Sequence, residues 1–309
     1  MTRPAVPRVA VCMAVCNGAN WIDEQLRSIL GQQGVELTVF VGVDQSHDGS
    51  AERLARHQAV DSRVRILPSG QGFGSAAANF FYLLREIDFT GFDHVALADQ
   101  DDVWFSDKLV RAVAEMRRQG GDAYSSNVIA LWPDGRQSLV DKAQPLRRWD
   151  HLFEAAGPGC TYVMSAALVE ALRAVLDREG KAVAGIALHD WFIYAFARTQ
   201  GFRWVIDPRP GMLYRQHASN VVGVNAGWRA LLRRATMVRS GWAFQQAALI
   251  AHLSGAARDP QVLAWFDGSR ASSLRLARHA CQCRRRRRDR LFFLLSCVLM
   301  FVTGPARPR

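Results

Sequence analysis

Asp99-Gln100-Asp101-Asp102 puts three carboxylates within four positions. Such a cluster repels itself, and two arrangements relieve the repulsion. One is a solvated loop followed by an N-cap for the helix that begins at Asp107-Lys108-Leu109-Val110. The other is a hard divalent cation: oxygen ligands on a short loop hold Mg²⁺ or Mn²⁺, with water and a phosphate completing the shell. Two more polar groups stand out downstream. Asp190 falls in the first turn of an apolar helix that begins at Leu188-His189, where the helix dipole alone already favours a negative charge. His217 falls in Tyr214-Arg215-Gln216-His217-Ala218-Ser219-Asn220, a polar loop rich in groups that can meet an anion, although a lone histidine is more often simply structural.

The elements that must position these residues alternate in type. Val9 to Val15 reads as a strand buried on both faces, followed by the turn Cys16-Asn17-Gly18-Ala19-Asn20, with Asn20 able to cap a helix through Leu30. Leu37 to Val43 is a second strand, ending in Asp44-Gln45-Ser46-His47-Asp48-Gly49-Ser50. Val64 to Leu67 is a third, followed by the glycine-rich loop Gly70-Gln71-Gly72-Phe73-Gly74 and a helix from about residue 76 to 86. Val95 to Ala98 is the fourth strand and delivers the acid cluster. Strand, polar loop and helix in repetition predict an α/β fold with a doubly wound, mostly parallel sheet. In such sheets ligands bind outside the carboxyl ends of the strands. Asn17, Asp44, Gly72 and Asp99 all fall on that edge. The glycine loop differs from both the dinucleotide and the Walker fingerprints. Placed on that edge, it lets backbone N–H groups approach a nucleotide. Further on, Tyr124 to Trp132 reads as one strand opening a hairpin at Pro133-Asp134-Gly135, Ala166 to Leu176 as a helix and Trp204 to Ile206 as a strand.

The net charge of +11 is concentrated at one end. Residues 269–309 hold eleven arginines and one acid, Asp289, whereas the preceding 268 residues carry 28 basic and 27 acidic groups. Trp228 to Ala251 and Ser269 to Cys283 read as helical, Arg284 to Arg288 is an unbroken basic run, and Leu291 to Val302 is mostly apolar. The apolar run is shorter than the roughly 20 residues needed to span a bilayer. Basic residues beside a short apolar segment suit a helix lying at an anionic membrane surface; packing on the domain or on a second subunit is the plainer alternative. Nucleic acid is not an expected partner, because the basic stretch is not interleaved with aromatics. Six scattered cysteines suggest neither a disulfide framework nor a zinc site, and free thiols fit a reducing cytoplasm.

The order of motifs resembles that of family 2 glycosyltransferases with the GT-A fold, and among them the bacterial rhamnosyltransferase-like members. The matching stretches are Cys16-Asn17-Gly18, Asp44 to Ser50, Ala98-Asp99-Gln100-Asp101-Asp102-Val103-Trp104, Leu188-His189-Asp190-Trp191 and Tyr214 to Gly223. The resemblance implies a nucleotide-sugar site in which Asn17 lies in the loop that packs on the base and Asp44 lies near the base or ribose. It places Asp99 near the ribose and Asp101 on a Mg²⁺ or Mn²⁺ that bridges the diphosphate. Asp190 is then the general base, and His217 lies in the loop that closes over the diphosphate as a further metal contact, with Arg215 and Gln216 nearby. Two departures from the pattern are that Val43 precedes Asp44 where many relatives have a second acid, and that Cys16 stands where an aromatic residue is usual.

These parts fit an inverting transfer of a sugar from a nucleotide donor, dTDP-L-rhamnose or a UDP-sugar, to a hydroxyl of a growing cell-surface or lipid-linked glycan. The implied organisation is a GT-A domain over 1–225 and a helical, basic extension over 226–309, peripheral at the inner face of the plasma membrane. A catalytically silent nucleotide-sugar-binding or membrane scaffold protein is the alternative, against which the acids at 99, 101 and 190 argue. A nucleotidyltransferase also pairs a doubly wound sheet with metal-binding acids, but would carry a basic, glycine-rich loop after the first strand, which Cys16 to Asn20 lacks.

Overall fold

The structure, a computed structural model, describes residues 5–68, 72–217 and 241–304. Strands β1 (Arg8–Val15), β2 (Glu36–Val43), β3 (Val64–Ile66) and β4 (His94–Ala98) alternate with helices α1 (Ile22–Leu30), α2 (Ser50–Val60) and α3 (Ala76–Glu86). They lie parallel in the order β4-β1-β2-β3. The sheet continues through β9 (Val163–Ser165), β6 (Ala123–Ser126) and β10 (Trp204–Asp207), giving seven strands in the order β10-β6-β9-β4-β1-β2-β3. Only β9 runs antiparallel to its neighbours. A smaller sheet has the order β5-β11-β7-β8, built from β5 (Val103–Trp104), β7 (Val128–Leu131), β8 (Gln137–Val140) and β11 (Met212–Arg215).

The strand β1 shows why such short runs form a sheet. Val9, Val11, Met13 and Val15 enter the core on one face; Ala10, Cys12 and Ala14 enter the core on the other. Both faces are dry, so an uninterrupted apolar run is the stable composition. The helices on either side present apolar stripes at the matching period, as in Ile22, Leu26 and Ile29 of α1. Register then fixes the site: Val15 pairs with Val43, and Met13 with Ala98. The loops that follow β1, β2 and β4 therefore leave the sheet side by side.

Several local expectations are corrected. Residues 124–132 form two strands rather than one, because Asn127 breaks the run. Its Nδ2 donates to Pro208 O and Asp141 Oδ1, and its Oδ1 accepts the Lys142 N–H, so β6 stays in the large sheet and β7 leaves for the small one. Tyr214 and Arg215 belong to β11 rather than to a loop. Asn20 does not cap α1; the N–H groups of Trp21 and Ile22 are satisfied by Gly18 O instead. Asp107 stands at the N-cap of α4 (Lys108–Gln119) without a side-chain capping bond. Ser69 to Gln71 of the glycine loop, Ala218 to Gly223, and the part of the expected helix from 228 to 240 lie outside the described residues.

Helices α5 (Ala166–Arg178) and α6 (His189–Thr199) cover the same face of the sheet as α3. The later helices α7 (Trp242–Ser254), α8 (Arg270–Ala277) and α9 (Arg287–Thr303) join that core through Ile250, Leu276 and Cys297. Trp149 packs edge-on against Trp265, and Phe153 against Phe293 of α9 at 4.9 Å. Among the described residues no helix is long and apolar enough to cross a membrane.

Candidate active site

The loops at the carboxyl edge are tied to one another by their own polar groups. Cys16 N donates to Gln100 Oε1 at 2.7 Å and Gln100 Nε2 donates back to Cys16 O at 2.9 Å. A side chain amide thus makes the paired bonds of a peptide group. Gly18 permits this approach, since a Cβ there would fall 2.4 Å from Gln100 Oε1. Asn17 adopts a positive φ of 49°, a conformation asparagine tolerates, and its Oδ1 accepts the His47 N–H at 2.9 Å. Asp44 is buried and accepts three backbone N–H groups, from Gln45, Phe73 and Gly74. Two of those donors belong to the glycine loop, and a Cβ on Gly72 would approach Asp44 Oδ1 to 3.2 Å. Asp44 therefore holds the glycine loop against β2. Each carboxylate oxygen has two lone pairs, and among the described residues Oδ2 receives only the Gly74 bond, so it keeps acceptor capacity for a ligand.

The acid cluster divides by environment. Asp101 is paired with His217 at 2.6 Å between Oδ2 and Nε2, and the histidine ring lies flat on Trp21, with centroids 4.2 Å apart. Asp99 is pushed up to about 7, by burial first and then by the charge of Asp101. Asp102 is fully buried and pushed up for the same two reasons; its Oδ1 accepts the Arg215 N–H at 3.2 Å. Beneath them lie two residues that sequence reasoning passed over. Cys160 forms a group with Asp99 and Asp102 whose ligand atoms all lie within 4.8 Å of one another. Lys108 is buried with its Nζ 3.2 Å from the centroid of the Trp104 ring, and burial brings it down to about 7. Nothing in the sequence separates this lysine from a solvated one at a helix start.

Two donor sets thus lie near each other. Asp99, Asp102 and Cys160 suit a hard cation poorly, because thiols are soft ligands and burial favours protonation of all three. Asp101 and His217 offer an oxygen and a nitrogen already in contact, and fit a divalent cation better. Arg215 spends its guanidinium holding this loop, donating through Nε to Asp101 O and through Nη2 to Glu24 Oε2. Gln216 is buried, with its N–H on Leu131 O and its amide on Arg215 O.

Asp190 enters from the other side of the edge, in the first turn of α6. Burial raises it to about 6, partly opposed by the Trp191 N–H donated to Oδ1 at 2.8 Å and by the charge of Lys142. Its charge in turn raises Asp99, so the two carboxyls share one electrostatic environment. Tyr162 donates to Asp190 O and receives the Ala156 N–H; Trp191 Nε1 donates to His151 O. The start of α6 is thereby fixed by the segment 151–162. His189, beside Asp190, is kept neutral by burial, at about 3.

Comparison with known proteins bears on the chain as a whole. The family described as "Glycosyltransferase like family 2" matches residues 7–220. The chain is 39% identical, over 93% of its length and 99% of the relative's, to dTDP-rhamnosyl transferase RfbG of Shigella flexneri. It is 25% identical to the putative teichuronic acid biosynthesis glycosyltransferase TuaG of Bacillus subtilis, over 56% of this chain and 63% of that one. Among solved structures, residues 1–349 of S. aureus TarS in complex with UDP-GlcNAc superpose with a TM-score of 0.55 at 13% identity, covering 96% of this chain and 81% of that one. The mannosyltransferase PcManGT from Pyrobaculum calidifontis, in complex with GDP-Man and Mn²⁺, gives 0.51 at 17%, covering 97% and 88%. A match over more than two thirds of the chain, joined to a relative alike from end to end, makes this protein a member of the family 2 glycosyltransferases, with the mostly parallel, helix-flanked sheet of the GT-A fold.

Proposed function

We propose that the chain is an inverting rhamnosyltransferase, moving L-rhamnose from dTDP-L-rhamnose to a hydroxyl of a growing cell-surface glycan. The observation that carries this reading is the end-to-end likeness to a protein named dTDP-rhamnosyl transferase. In this reading the base of the donor lies along Asn17, Asp44 and Gly72. Thymine and uracil both present an N3–H, for which the remaining acceptor capacity of Asp44 is suited. Asp99 faces the ribose. Arg215 and Gln216 act on the donor through the acid loop that they hold. Asp101 and His217 would hold Mg²⁺ or Mn²⁺, which when bound neutralises charge developing on the departing diphosphate.

Asp190 removes the proton of the acceptor hydroxyl as that oxygen attacks the anomeric carbon. Its elevated pKa matches this task, because a base near neutrality accepts the proton more readily than an ordinary carboxylate. Attack from the face opposite the leaving diphosphate inverts the anomeric centre, and no carboxylate is assigned as a nucleophile. Residues 1–225 form the transferase domain. Residues 226–309 are an extension docked on it that meets the anionic inner face of the plasma membrane.

A thermal-shift panel of nucleotide sugars with Mn²⁺, followed by a transfer assay on the donors that bind, tests the reading. We expect dTDP-L-rhamnose to stabilise the protein most and to be consumed. Stronger binding and turnover of a UDP-sugar would replace the donor assignment. Binding with no turnover across a broad set of acceptors would favour a silent sugar-nucleotide-binding protein.

A further inference from the structure

The basic run is not uniformly solvated. Arg285 is buried, with Nη2 donating to Ala155 O and Nη1 3.5 Å from Asp150 Oδ2. Arg284 donates to Phe153 O, and Arg290 to Arg284 O and Arg285 O. These bonds dock the start of α9 on the segment 150–156. The docking leaves an open recess, the arginine cavity, of about 470 Å³ on the surface beside the first turn of the helix. Among the described residues its wall carries Arg147 and the arginines at 285, 286, 287, 288 and 290, with Asp141 as the single acid.

That acid is already engaged. Asp141 Oδ1 accepts from Asn127 and Ala143, and Oδ2 accepts from Gln144 at 2.7 Å. Arg286 reaches the same residue, through its carbonyl and at 3.9 Å from its carboxylate. Arg147 and Arg287 have no ion-pair partner among the described residues, and Arg285 Nε is buried without an acceptor. A cavity with this surplus of guanidinium groups, at the positive end of a helix, fits a phosphate or diphosphate.

The helix that starts there has an unusual open face. Leu291, Leu294, Leu295, Val298, Leu299 and Val302 recur at helical spacing and are exposed, Leu295 by 59% and Val302 by 66%. The opposite face is the docked one, through Phe293 and Cys297. The apolar stripe therefore begins where the arginine cavity ends, and runs along a helix about 25 Å long. An acyl chain with an anionic headgroup has this same sequence of chemistry, phosphate and then hydrocarbon.

We propose that the arginine cavity binds the phosphate headgroup of a membrane lipid while the stripe of α9 sinks among its acyl chains. The proposal deepens the membrane-facing reading of the extension and rests on it, by replacing diffuse attraction with a discrete headgroup site.

Flotation of the full chain tests it, using vesicles of phosphatidylcholine alone and of phosphatidylcholine with phosphatidylglycerol. Arg287→Glu with Arg288→Glu changes the cavity at side chains that dock nothing. Arg56→Glu with Arg117→Glu changes the same charge on α2 and α4. We expect the cavity variant to weaken binding to the anionic vesicles by at least about tenfold, with the melting temperature kept, and the control pair to change it little. Leu295→Asp with Val302→Asp should abolish flotation on both. Added inorganic pyrophosphate should displace the wild type from anionic vesicles more than chloride at equal ionic strength does. Equal loss in the cavity and control pairs would overturn the headgroup site and leave the membrane reading standing. No flotation of the wild type would overturn both. A melting temperature raised by pyrophosphate without any flotation would assign the cavity to a soluble phosphate compound and overturn the lipid.

Discussion

A carboxyl lifted to about 6 by burial changes charge within the working range of an enzyme, and Asp190 is such a group. Three predictions follow at this residue. Asp190→Asn should lower kcat by about 10²- to 10⁴-fold while leaving the dissociation constant of the nucleotide donor unchanged. In the wild type, kcat should rise with pH through about 6, since only the ionised form accepts a proton. The stability effect has a definite sign. The folded-state pKa lies above that of the unfolded chain, so stability falls as the pH rises from the ordinary carboxylate value through about 6, and the full cost of the ionised carboxylate is present above about 6. Asp190→Asn should therefore raise the melting temperature more at pH 8 than at pH 5, and a larger gain at pH 5 would contradict the assignment. The buried Lys108 shows the mirror-image shift beside the acid cluster: over the Trp104 ring burial brings the amine down to about 7, as it raises Asp99 and Asp102.

At the scale of elements, single polar residues decide where strands end. Asn127 makes three bonds across the junction of the two sheets. Asn127→Ala would leave the Pro208 carbonyl and Lys142 N–H without partners, and should cost about 1–3 kcal/mol for each group left unsatisfied, read from urea denaturation. Gly18→Ala should disturb the Gln100 clamp and weaken donor binding, since its new Cβ would overlap the amide. The alternation of β1, the polar loops on one sheet edge and the place of Asp190 in a helix's first turn were all legible in the sequence, because two-sided burial and strand-to-loop order leave a compositional mark. The break at Asn127 left only a weak one, the cluster Ser125-Ser126-Asn127 inside an apolar run. Lys108, Lys142 and Cys160 left none. A lysine reads as solvated until a fold surrounds it, and the group to which Cys160 belongs joins residues about sixty positions apart.

For the whole molecule, one arginine important to stability hides among four neighbours of identical type. Arg285 lies against Asp150, and both are buried. Arg285→Ala leaves a buried carboxylate facing fewer cations and should destabilise the protein by about 3–5 kcal/mol, measured by chemical denaturation. Substituting Arg287 or Arg288, both more exposed to solvent, should cost far less. Removing residues 284–309 outright is for the same reason a poor probe of membrane binding, since it strips the docked face of the tail along with the open one. The clamp between Gln100 and Cys16 bears on time as well as on affinity. The amide adds one rung to the ladder between β1 and β4, so the loops that carry Asn17 and Asp99 are joined before any ligand arrives. A nucleotide reaching that half of the site meets a finished surface. Its association in stopped flow should follow a single exponential whose rate rises linearly with concentration, whereas a rate that saturates would reveal a slow rearrangement of these loops.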